Sequence, residues 1–198
     1  MRQQKREEVI ARFRACFGGI GSIDFPSVEE VEDVIIKHGI SPLFVAQACR
    51  YILEEPRYGR LHGLAILCLR QLGVYQRLSS RSAQTLLESI PITPHALVES
   101  EDGYTLNRNI EAVLASPRLL PTVLTFIDSC LLEEHSIRDW RWEAFICAGL
   151  IIEKYGAASI PFALAEKFRK EADLEEDPSR RRQMQWMVSE DRMSSVRI

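Results

Sequence analysis

LLPTVLTFIDSCLLEEHSIRDWRWEAFICAGLIIEKYG, residues 119–156, decides the fold. Leu120, Val123, Leu124, Ile127 and Leu131 recur at steps of three and four, the spacing that lines one face of a helix. Trp140, Ala144, Ala148, Ile151 and Tyr155 repeat that pattern, and Gly156 follows as a stop. Between them the run Ala144 to Ile152 is apolar nearly all round, which belongs to a helix buried on several sides. Ala148 and Gly149 are expected to let a facing helix approach closely. No alternation of period two, the mark of a strand, interrupts the stretch.

Outward from this stretch the same grammar repeats. Leu61, Leu64, Ala65, Cys68 and Leu72 form another helical face, and LAILCL within it is again apolar all round. Ser27-Val-Glu-Glu30 reads as a capping box, in which a hydroxyl accepts one free amide and a glutamate reaches back to another. Ser41-Pro42, Ser116-Pro117 and Asp177-Pro178 each set a capping side chain before a proline at the first helical position. Gly39, Gly73 and Gly156 each close an apolar stretch. These marks predict helices over 2–17, 27–38, 42–54, 57–72, 80–89, 106–115, 118–133, 137–155, 159–173 and 178–192. Residues 79–116 read as irregular, with the longest loop over 89–105, and the tail over 191–198 as frayed.

Residues 35–57 and 151–180 also resemble one another. Each runs from an apolar helix end through a glycine and a proline-led apolar helix to Leu-Glu-Glu and a further proline. Their offset of about 120 residues equals about three units of about 40, within the period of helical repeat arrays. Residues 119–156 resemble a HEAT repeat. The match rests on Leu119, Leu120 and Pro121, on Leu124 and Ile127, on Asp139 and Arg141 near the second helix start, and on Ala144, Ala148, Ile151 and Gly156. Residues 160–164 look like the opening of another unit, and residues 42–73 fit more loosely. The resemblance implies an all-α fold, a right-handed α-α superhelix of about four to five HEAT-like hairpins forming one solenoid domain over 1–198. It also implies a concave wall of second helices that holds other macromolecules.

Composition bounds the rest. Hydrophobic residues make up 46% and charged residues 27% of the 198, so the chain has enough apolar side chains to bury a core. The net charge of −3 disfavours nucleic acid, which requires clustered Lys and Arg. No apolar run reaches the roughly 20 residues of a membrane helix. The charged start MRQQKREEVIARFRACF lacks a signal segment, so an uncleaved cytoplasmic protein is expected. Cys16, Cys49, Cys68, Cys130 and Cys147 form no CxxC pair and read as free core thiols of a reducing compartment.

Signals for catalysis are weak. His38, His62, His95 and His135 show no metal-ligand spacing, and no metal or other cofactor is expected. His62, at a basic helix start, is placed to face a groove. Gly18-Gly19-Ile20-Gly21-Ser22 lacks the strand and Gly-Lys-Ser/Thr ending of a phosphate loop and reads as a turn. The pairs Glu29-Glu30, Glu54-Glu55, Glu133-Glu134 and Glu175-Glu176 read as helix ends rather than acid–base machinery, so no catalytic residue is assigned.

Arginine and tryptophan remain. Arg138, Arg141 and Trp142 surround Trp140 at one helix start, Arg57 and Arg60 lie at another, and Arg181 and Arg182 at a third near Trp186. Stacked side by side, such helices would carry a basic stripe for an acidic partner. Equally, the arginines would pair with the glutamates just before them. The first expectation is therefore a non-enzymatic scaffold, adaptor or neutralising partner that binds protein through Arg57, Arg60, Arg138, Arg141, Trp142, Arg181 and Arg182. The alternative is a DNA-binding enzyme, because residues 139–142 loosely resemble HEAT-like glycosylases acting on alkylated bases. A homo-oligomer is a third reading, but the charged first helix resembles a solubilising end cap and favours a monomer or weak association.

Overall fold

The computed structural model describes residues 2–17, 28–37, 39–89, 105–132, 140–187 and 189. Among these residues the fold is all-α, with ten α-helices and no strand. They are α1 (Arg2–Phe17), α2 (Val28–Lys37), α3 (Pro42–Leu53), α4 (His62–Val74), α5 (Ser80–Glu88), α6 (Thr105–Leu114), α7 (Leu120–Leu132), α8 (Trp140–Tyr155), α9 (Phe162–Leu174) and α10 (Pro178–Met187). Short 3-10 turns at Pro56–Leu61, Pro117–Leu119 and Ala157–Ser159 lead into α4, α7 and the approach to α9. Among the described residues, no single helix is long and apolar enough to cross a membrane. The chain divides into two compact units, residues 1–90 with 112–122, and residues 91–111 with 123–198.

In the first unit α4 is the central element, packed against α2, α3, α5 and the 3-10 turn before it. Leu64, Ala65, Cys68, Leu69 and Leu72 are buried, and no residue from Leu64 to Leu69 is exposed, as the all-round apolar run requires. The α1 helix buries Ile10, Phe13 and Phe17, with the two rings 4.5 Å apart, and packs on α3. Its cations lie over aromatic faces. Arg6 sits 4.6 Å from the Tyr51 ring and Arg12 4.7 Å from that of Phe44, so the charged rim of α1 also covers apolar surface.

Gly73 corrects the sequence reading. It was expected to stop α4, yet the helix continues to Val74, and Gly73 is buried within it. A Cβ there would lie 2.6 Å from the carbonyl oxygen of Ala112 in α6, so glycine is required for the two backbones to approach. The stop falls to Gln76, at φ 57°. Its amide donates to the Gly73 carbonyl at 2.7 Å and that of Arg77 to the Leu72 carbonyl at 2.7 Å, the paired bonds of a left-handed helix end. Gly39 (φ 55°) and Gly156 (φ 82°, ψ 160°) do occupy backbone that disfavours other residues.

In the second unit α8 packs on the 3-10 turn that follows it and on α10, and α9 packs on α10. Ala144, Phe145, Cys147, Ala148, Ile151 and Ile152 are buried, and Phe145 meets Phe168 of α9 edge to face at 4.6 Å. Gly149 is not the close-approach point expected. Among the described residues, an added Cβ would meet only Met187 Sδ of α10, at an ordinary 3.5 Å.

The proline-led starts divide. Asp177 Oδ1 accepts the amides of Ser179 at 2.7 Å and Arg180 at 2.9 Å, a full cap. Ser41 and Ser116 occupy cap positions without a side-chain bond, and Ser79, which the sequence did not single out, caps α5 by accepting from Ser82 at 3.2 Å. Ser27, the capping residue of the box at the start of α2, lies outside the described residues, as does the tail over 191–198.

Candidate interaction surface

The structure distributes the expected arginines among different tasks. Arg57 donates to Glu55 at 2.6 Å and to Glu7 at 3.2 Å, and its guanidinium lies 4.8 Å from the Tyr58 ring. Arg6 pairs with Glu54 and reaches Glu55 at 3.4 Å. These contacts tie α1 to the turn after α3. Arg60 is exposed and has no ion-pair partner among the described residues. His62 does not face a groove. Its Nε2–H donates to the carbonyls of Ile52 at 3.0 Å and Glu55 at 3.4 Å and closes the end of α3.

In the second unit, Arg181 Nε donates to the Glu175 carbonyl at 2.6 Å and Arg182 Nε to the Pro178 carbonyl at 3.1 Å. Both side chains therefore brace the turn into α10. Arg138 lies outside the described residues, as do the side chains of Arg141 and Trp142 on α8. The Asp177 carboxyl is held below the usual carboxylate range, chiefly by the amide of Arg180 and then that of Ser179. Exposed apolar side chains of this unit are Phe162, Leu174 and Trp186.

What sequence reasoning missed is a groove in the first unit. Three adjoining hollows of about 360, 480 and 400 Å³ run along it. The first is lined by Ile36, Ile40, Leu72, Tyr75 and Arg77, the second by Pro42, Leu43, Ala46, Gln76 and Arg118, and the third by Leu78, Ser79, Ser80 and Leu119. Ser41, Pro42 and Arg77 are shared by the first two, and Arg77, Ser79 and Arg118 by the last two. Leu43 is 77% and Ile36 61% exposed, and Tyr75 at 42% stands beside them. Arg118 is fixed in place, donating to the carbonyls of Gln76 at 3.2 Å and Leu78 at 2.9 Å. The Tyr75 hydroxyl is bonded to the Glu32 carboxylate.

Cys49, Cys68, Cys130 and Cys147 are buried, and burial, with Cys49 alongside, pushes the Cys68 thiol well above its ordinary range. Among the described residues no three His, Cys, Asp or Glu side chains gather to hold a metal ion. No family model, curated protein or solved structure matches this chain.

Proposed function

We propose that this chain is a HEAT-like helical scaffold, a right-handed superhelix of stacked hairpins, that works without catalysis by holding a protein partner in the cytoplasm. The observation that carries the reading is the groove of the first unit. Large apolar side chains scattered singly over a surface need no explanation, whereas several gathered along one concavity mark a contact surface. Ile36, Leu43 and Tyr75 are gathered in that way, on α2, on α3 and just after α4. The packing of α2, α3 and α5 around the apolar α4 in the first unit supports the repeat reading. Five free thiols, four of them buried, suit a reducing compartment.

Arg60 of the first unit and, separately, Arg138, Arg141 and Trp142 of the second are further proposed contact residues, and one experiment separates them from the groove. Tagged chain is recovered from its own cells as wild type, as Ile36→Ser with Leu43→Ser, and as Arg60→Ala with Arg138→Ala and Trp142→Ala. Partner recovery is expected to fall for the serine pair and to persist for the alanine set. The reverse pattern would move the site to the arginines and tryptophan. Salt-dependent binding of DNA without any protein partner would replace the scaffold with the nucleic-acid reading.

A further inference from the structure

The groove has a sign of charge opposite to that of the whole chain. Among the described residues, Arg77 and Arg118 are the charged ones that line its three hollows and no Asp or Glu does, although the chain carries 28 acidic residues against 25 Lys and Arg. Helices α3 and α5 begin at its wall, at Pro42 and Ser80, and the amide ends of helices add partial positive charge. Two backbone carbonyls hold Arg118 in position without neutralising it, so little side-chain freedom is lost when an anion binds. Arg77 is exposed and has no ion-pair partner among the described residues. Glu32, which lines none of the three hollows, accepts a hydrogen bond from the Tyr75 hydroxyl.

We infer that the groove takes an acidic amphipathic segment of a partner protein, its apolar side chains on Ile36, Leu43 and Tyr75 and its carboxylates on Arg77 and Arg118. This rests on the protein-binding reading above and assigns the partner's chemistry. A nucleic-acid backbone would satisfy the arginines but leave the apolar side chains of Ile36 and Leu43 without a counterpart. A basic segment would meet two cations and two helix N-termini of its own sign.

The test is fluorescence anisotropy on the full chain with three labelled peptides of equal length. One alternates Glu with Leu and Phe, the second replaces each Glu by Lys, and the third replaces each apolar residue by Ser. The acidic amphipathic peptide is expected to bind saturably, with affinity falling as salt rises, and the other two to bind at least about tenfold more weakly. Arg77→Glu and, separately, Leu43→Ser are each expected to weaken it by about tenfold while leaving the helical circular dichroism unchanged. Both positions are exposed, so neither change disturbs the core. Absence of saturable binding, equal binding of the lysine or serine peptide, or undiminished binding to both variants overturns the inference. If a cellular protein partner is still recovered in that event, the scaffold reading survives and only the acidic assignment falls.

Discussion

Replacing Gly73 by alanine tests the close approach of α4 and α6 and has a sign that helix propensity alone would get wrong. Within a helix, glycine to alanine ordinarily gains about 0.5–1 kcal/mol, because alanine has less backbone freedom to lose. At Gly73 the new Cβ would lie 2.6 Å from the Ala112 carbonyl oxygen, 2.9 Å from its carbonyl carbon and 3.0 Å from its Cβ. The first two are backbone atoms, so the clash is relieved only by moving one helix off the other. Overpacking of this kind costs about 1–3 kcal/mol, and a backbone obstacle belongs at the upper end. The net expectation is a loss of about 1–2 kcal/mol, or about 2–8 °C in Tm for a chain of this size. Gly149→Ala is the internal control. Among the described residues its Cβ meets only the end of a flexible methionine at 3.5 Å, so the propensity gain prevails and Tm is expected to rise by up to about 2–4 °C. Thermal unfolding followed by circular dichroism at 222 nm measures both. A Gly73→Ala protein as stable as wild type, or more so, would refute the close approach.

Three further outcomes follow from named contacts. Gln76 ends α4 in left-handed backbone (φ 57°), so Gln76→Gly is expected to stabilise the chain by about 0.5–1 kcal/mol, read as a rise in Tm. The Asp177 carboxyl is more acidic folded than unfolded, so its contribution is complete above the unfolded carboxylate pKa, about 3.9, and is lost as pH falls through the lower folded value. Protection of the first-turn amides of α10, read as exchange relative to the intrinsic rate at each pH, is therefore expected to fall on acidification below about pH 4, and Asp177→Ala to show the lower protection already at neutral pH. Cys16 is the half-buried thiol and is expected to react first with a thiol reagent, with Cys49, Cys68, Cys130 and Cys147 reacting only when the chain is unfolded.

The helices were legible because their punctuation is local. A glycine after an apolar face and an aspartate before a proline act within a few residues, and Gly39, Gly156 and Asp177 behave as read. Gly73 was misread because its reason lies in Ala112, far along the chain, and no local pattern distinguishes a helix stop from a contact glycine. The arginines invited a stripe because clustering is visible in sequence and hydrogen-bond partners are not. Arg57 turns to Glu7 and Glu55, while Arg181 and Arg182 turn to carbonyls of their own turn. The groove was hidden for the opposite reason. Ile36 and Leu43 sit in apolar runs that look like core, and only the fold leaves them exposed beside Arg77 and Arg118.

A photo-crosslinking amino acid placed at Leu43, with Arg60 as the reference position, reads the surface used in living cells. A partner held in the groove gives a protein adduct at position 43 and little at position 60. An adduct confined to position 60, or none at position 43, would contradict the assignment of the groove as the docking surface.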